Sequence, residues 1–272
     1  MIAVNAEDLS TIPAHKKCAV CQRIHVDFPL FTNISQALVM AAKNGESRPR
    51  IIRLKDFGLS KIGRHERLYI ISHGNPGFLG DGDQPNHYSG RTIEGGTSAG
   101  GLNGVGELVA THRAPFRGVE IYACDGATDI NDEYRSIVHG VNASLSEAGV
   151  SLVRTSGFTG YSYSNPYSGV TRVLKEGKSA RADSIQEECI EKHHATLLQV
   201  DRYAWEHRQV DIADRADTIA SMTRDLYKDL ITELQGEDLL HRVGDGKSAL
   251  VSMACPATAS SSVSQATGNG KK

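Results

Sequence analysis

The sequence predicts an α/β fold built on a largely parallel sheet, and three observations carry that expectation. Five short apolar runs, at 51–54, 68–71, 119–122, 150–153 and 170–174, are rich in β-branched or aromatic residues, as strands buried on both faces are. Between the third and fourth runs lies a segment of helical periodicity, so strand, helix and strand make a βαβ unit. Such a unit crosses over right-handed and gathers the loops at the C-terminal strand ends on one edge, where chemistry is to be sought.

In chain order, residues 1–17 show no periodicity and are expected to be a flexible N-terminus. Thr32 or Asn33 can cap a short helix whose apolar positions Ile34, Ala37, Leu38 and Ala41 share a face before Asn44 and Gly45 stop it. The first two strand runs follow. The glycine-rich segment 81–106 reads as a long loop leaving the second of them on the active edge, either a lid, a cleavable loop or a plain surface insertion. The helix over 131–148 is the best specified. Tyr134, Ile137, Val138, Val141 and Leu145 share a face, Asp132 and Glu133 stand in its first turn, and Gly149 follows its end. From 179 to 245 the chain turns charged, with Ile185, Leu197, Leu198 and Trp205 followed by a stripe of Ile212, Ala216, Ile219, Thr223, Leu226, Leu230 and Leu234, and a helical appendage is expected. Residues 246–272 run into Ser, Thr, Ala, Gly and Lys, a composition that buries too little apolar area to order itself, so a disordered tail is expected.

A chain of 272 residues suits one large domain, or one domain with an appendage. Thirty Lys and Arg against thirty-two Asp and Glu leave a net charge of −2, which provides no field for nucleic acid or anionic lipid. The longest apolar runs are far below a membrane span, and the start lacks a signal-peptide pattern. The expected setting is therefore a bacterial cytoplasm, or delivery into another cell by a route independent of a signal peptide.

Five cysteines, at 18, 21, 124, 189 and 255, are an odd number in a long chain and argue against a disulfide framework. Cys18 and Cys21, with His25 close behind, have the spacing of half a zinc site that Cys189, His193 and His194 could complete; a single C-x-x-C is weak support, and plain packing is the default. No metal or organic cofactor is expected.

The informative feature stands at two strand ends. The run Arg67-Leu-Tyr-Ile-Ile-Ser72 ends in His73-Gly74, and Gly118-Val-Glu-Ile-Tyr-Ala123 ends in Cys124-Asp125-Gly126. In a parallel sheet these ends share an edge. A thiol becomes a useful nucleophile when an imidazole takes its proton, and a glycine beside that base leaves a backbone N–H that can face a developing oxyanion.

On these residues the chain resembles the caspase-like cysteine peptidases, the clan that also holds legumain, gingipain, clostripain, separase and the self-cleaving domains of large bacterial toxins. The resemblance lies in an apolar strand ending in His-Gly (LYIISHG) followed by one ending in Ala-Cys (VEIYACDGA). Cys124 follows His73 by 51 positions (124 − 73), close to the roughly 50 found in caspases. The caspase signature Q-A-C-[RQG]-G is replaced by Tyr122-Ala123-Cys124-Asp125-Gly126, which fits the looser bacterial members better. A carboxylate at Asp125 would also raise the thiol pKa unless it is turned away or paired.

The resemblance implies a caspase-like three-layer sandwich over 18–178 and a cysteine endopeptidase, self-cleavage included among its options. Cys124 would attack the scissile carbonyl, His73 would protonate the leaving amine and then activate water, and the N–H groups of Gly74 and Cys124 would hold the oxyanion. In caspase-like enzymes the segment after the next strand helps line the pocket for the residue before the cut bond, which makes Ser156, Phe158 and Tyr161 candidates by position. The expected partner is a protein or peptide substrate, with no nucleic acid and no membrane. One competing reading is a non-catalytic interaction module whose helical tail binds a partner. Another is a cysteine hydrolase or transferase of a different fold, which needs a third catalytic member that the sequence does not single out.

Overall fold

A computed structural model describes residues 1–13, 24–59, 61–80, 88–89, 103–112, 116–131, 135–150, 153–164, 170–242 and 250–254. The chain begins with β1 (Ile2–Val4), α1 (Phe28–Lys43), β2 (Ile51–Arg53) and β3 (Arg67–Ile71). Four two-residue strands follow, β4 (Gly74–Asn75), β5 (Phe78–Leu79), β6 (Tyr88–Ser89) and β7 (Asn103–Gly104), then α2 (Val105–Ala110), β8 (Gly118–Tyr122), α3 (Ile137–Glu147) and β9 (Arg154–Phe158). After β10 (Ser162–Ser164) and β11 (Thr171–Leu174) come four helices, α4 (Ser179–Lys192), α5 (His194–Glu206), α6 (Ile212–Met222) and α7 (Arg224–Gly236), and then β12 (Leu240–Arg242) and β13 (Leu250–Ala254).

The central sheet has the order β13-β9-β8-β3-β1-β2, and all its pairs are parallel except β13 with β9. Alternation along the strands divides the core in two, because successive side chains point to opposite faces. Ile2, Val4, Tyr69, Ile71 and Tyr122 face a layer built from α1, α5, α6 and the start of α7. Ala3, Leu68, Ile70, Val119 and Ile121 face α2, α3 and a 3-10 turn at Leu54–Leu59. The result is an α/β three-layer sandwich, as the uninterrupted apolar runs predict. A smaller antiparallel sheet, β10-β11-β12, packs through Tyr163 and Leu174 on α4 and α7. Among the described residues no helix is long and apolar enough to cross a membrane.

Several expectations are corrected. The start of the supposedly flexible N-terminus is β1, wholly buried between β2 and β3. Three residues are too few to display a period, so this strand leaves no pattern in the sequence. The first helix begins at Phe28, with Asp27 rather than Thr32 or Asn33 as its cap. The fourth strand lies at Arg154–Phe158 rather than 150–153, and Val150 and Val153 are buried in the connection leading to it. Gly157 explains why this strand lacks an apolar signature: a Cβ there would stand 2.8 Å from Val138 of α3, so close packing replaces side-chain bulk. The fifth run belongs to the small sheet.

The helices from 179 onward form a layer of the fold and are not an appendage. Arg215 of α6 is buried, donates to the carbonyls of Leu9, Ser10 and Val210, and lies over the Phe31 ring at 5.6 Å. It thus ties the segment after β1 to α6 and α1. Within the expected disordered tail, Leu250–Ala254 is a sheet strand, while 255–272 lie outside the described residues. Most of 81–106 also lies outside them, while Tyr88–Ser89 and Asn103–Gly104 within it form β6 and β7 of a four-stranded sheet.

Phe31→Ala should cost about 3–5 kcal/mol in urea unfolding, because its ring is fully buried between the sheet and Arg215. Leu198→Ala, at a side chain 45% exposed, should stay within about 0.5 kcal/mol. Equal losses at the two sites would contradict the layer assignment.

Candidate functional site

The pairing of β3 with β8 sets the site. Arg67 faces Gly118 and Ile71 faces Tyr122, the same offset of 51 at every step. Two further steps along that register oppose His73 to Cys124, and the Ser72 N–H, which still donates to the Tyr122 carbonyl at 3.2 Å, shows that the chains stay together past the last formal pair. At Gly74 the two chains pack tightly against each other. A Cβ there would stand 2.1 Å from the Cys124 carbonyl oxygen, so only glycine fits. The Gly80 N–H donates to the His73 carbonyl at 2.8 Å, making Gly74 and Leu79 a non-hydrogen-bonded pair of the β4-β5 ladder. The Gly74 N–H is therefore turned away from β5.

His73, Gly74 and Cys124 line one cleft of about 490 Å³. Its other walls come from the start of α1, from β10, and from α4 and α7. The structure thus brings together the histidine, the glycine and the cysteine that the sequence singles out.

A residue the sequence analysis missed completes the group. Asp27 caps α1, accepting the Leu30 N–H on Oδ1 at 3.2 Å, while its Oδ2 lies 2.5 Å from His73 Nε2. The Asp27 side chain is 4% exposed and that of His73 34%. The carboxylate therefore accepts from Nε2–H in a desolvated setting, which selects the tautomer with its lone pair on Nδ1. The segment carrying it is fixed from both sides. Its own N–H donates to the Ile12 carbonyl at 2.7 Å, and the N–H groups of His25 and Val26 donate to the buried carboxylate of Asp201 on α5 at 2.7 and 3.0 Å. Asp27 followed by Pro29 is a helix-start signal that would have located the cap.

Cys124 is half-buried. Burial pushes its thiol up, the Ser162 N–H and hydroxyl pull it down, and the Asp125 charge adds to the rise. Asp125 is nevertheless turned aside. It adopts φ of +55°, and its Oδ1 accepts from the Gly160 N–H and the Thr128 hydroxyl, each at 2.9 Å. Short polar side chains tolerate this left-handed conformation best. With the thiol raised, the neutral form rests at neutral pH.

Of the three pocket candidates, Tyr161 lines the cleft. Ser156 and Phe158 do not, because residues 154–158 are held in the sheet: Ser156 pairs with Glu120 and Ser252, and Phe158 is buried edge-on against Tyr122 at 6.1 Å. The chain escapes the sheet only at the Gly160 turn, so the residues just after it, Tyr161, Ser162 and Tyr163, reach the cleft instead. Cys18 and Cys21 lie outside the described residues. Cys189 is packed in the core shared by α4 and α7, and His193 Nε2 engages Asp229 at 3.0 Å. Among the described residues no group of three or more His, Cys, Asp and Glu is arranged to hold a metal ion.

Alkylation of Cys124 by iodoacetamide, followed against pH by mass spectrometry, should rise through a midpoint above that of an ordinary thiol, since a raised group stays neutral to higher pH. Asp125→Asn should lower that midpoint and Ser162→Ala should raise it. A midpoint below neutrality would contradict the desolvated setting.

In comparisons with protein-family models, with curated proteins and with solved structures, none matches the chain.

Proposed function

We propose that the cleft is the active site of a cysteine endopeptidase on a caspase-like scaffold, with Cys124, His73 and Asp27 acting in sequence. The observation that carries this reading is the shared register of β3 and β8, which sets the histidine beside the cysteine while a buried carboxylate holds the imidazole. To the His-Cys dyad expected from the sequence, the cap of α1 adds Asp27 as a carboxylate that orients the imidazole.

In the first half-reaction the Cys124 sulfur attacks the scissile carbonyl carbon and its proton passes to Nδ1 of His73. The negative charge that develops on the carbonyl oxygen is met by the N–H groups of Gly74 and Cys124. The imidazolium, stabilised by Asp27, returns the proton to the leaving amine as the C–N bond breaks, leaving a thioester on Cys124. Water then attacks the thioester, His73 takes its proton, and the acid product leaves as the thiol is restored. The raised thiol suits this order of events. Its proton is transferred as the carbonyl is attacked, so no preformed thiolate is needed at rest.

Incubating the purified protein with a peptide library, and reading the products by mass spectrometry, tests the proposal. Cys124→Ala and His73→Ala should abolish cleavage. Asp27→Asn should lower kcat by about 10²- to 10⁴-fold, because the imidazole loses its anionic partner and its fixed tautomer. The melting temperature should hold, since Asn caps a helix as well as Asp does. Cleavage by Cys124→Ala at the wild-type rate would overturn the reading.

A further inference from the structure

The charge of the cleft points to its substrate. Among the described residues its walls contain two carboxylates, Asp27 and Asp183, and no Lys or Arg. Asp27 is committed to His73 and to the cap of α1. Asp183 is different: it stands exposed on the second turn of α4, and no hydrogen bond or ion pair engages it among the described residues. An acid at the mouth of a cleft whose described lining holds no Lys or Arg suits a cation brought by a ligand.

The surroundings of Asp183 fit a long side chain. Gln186, three positions on, lies on the same helix face and lines the same cleft. Tyr161 and Tyr163 extend from the Cys124 side toward α4, where both pack on the cluster containing Ala182 and Ile185. Chiefly through burial, and further through the charge of Asp183, their hydroxyls are pushed up, so both rings lie within the field of the acid. Ile190 and Leu230 add an apolar floor. A chain of methylenes ending in a cation can lay its stem on this apolar and aromatic wall and place its charge between a carboxylate and tyrosine rings.

We propose that the cleft selects peptides with Arg or Lys immediately before the cut bond, and that Asp183 reads the cation; this rests on the peptidase reading above. An acidic residue at the same place would meet the carboxylate of Asp183 and is disfavoured. The specificity determinant therefore comes from the C-terminal helices, a part of the chain lying outside the segment that resembles the caspase-like peptidases.

The test uses three peptidyl acyloxymethyl ketones that differ only in the terminal residue, Arg, Leu or Asp, with labelling of Cys124 followed by mass spectrometry. Cys124 should react at least about 10-fold faster with the Arg probe than with either of the others. Asp183→Asn should lower the Arg-to-Leu ratio by about 10- to 100-fold, the worth of one charge-assisted bond. Asp183→Arg should turn the preference toward the Asp probe, and a melting curve of each variant confirms its fold. If the Leu or Asp probe reacts as fast as the Arg probe, or if the ratio ignores Asp183→Asn, this inference is overturned and the peptidase reading stands. If no probe modifies Cys124 at all, the peptidase reading is overturned and the inference with it.

Discussion

The parallel pairing of β3 with β8 is the constraint on which everything else depends. Both strands are buried on both faces, with Tyr69 and Ile71 against one helical layer and Leu68 and Ile70 against the other. A slip of one residue would invert every one of these side chains, so the core locks the register from two sides at once. The offset that packs the core is also the offset that opposes His73 to Cys124. Beyond the ladder, Gly74 lets the two chains remain in contact where any side chain would collide with the Cys124 carbonyl. The packing of the core and the placement of the two strand ends are thus set by one alignment.

Around that pair, the remaining parts of the site come from the helical layer. Asp27 serves two structures with one carboxylate, capping α1 with one oxygen and holding His73 with the other. Its position depends in turn on Asp201 of α5, which gathers the N–H groups of the two preceding residues, while Arg215 of α6 fastens the segment leading from β1. The cleft wall opposite the thiol belongs to α4 and α7. The helices that follow residue 178 therefore both complete the sandwich and line the cleft that holds Cys124.

What could be read from the sequence divides along physical lines. His73 and Cys124 are legible because an uninterrupted apolar run identifies a buried strand, and a polar residue at the end of such a run stands out. The helix around Val138 and Val141 is legible because its face is long enough to show a period, though it begins at Ile137 under a Ser136 cap rather than at 131. β1 is not, since its three residues carry no period, and neither is β9, whose Thr155, Ser156 and Gly157 are chosen for close packing rather than bulk. Asp27 is half legible. Its place before Phe28-Pro29 marks a helix start, but its contact with an imidazole 46 positions away depends on how α1 lies against the sheet, and no local pattern encodes that. Ser156 and Phe158 follow the apolar run 150–153 in sequence, yet they belong to β9 and lie inside the sheet.

The side-by-side placement of positions 73 and 124 can be tested directly by chemistry at those two positions. Neighbouring strands lie about 4.8 Å apart, inside the Cα separation that a disulfide spans. The variant His73→Cys, oxidised and mapped by non-reducing peptide analysis, should show the peptide carrying position 73 joined to the one carrying Cys124, and the link should vanish on reduction. If both thiols remain open to alkylation after oxidation, or if position 73 joins another cysteine while Cys124 stays free, the two strand ends do not share a rim.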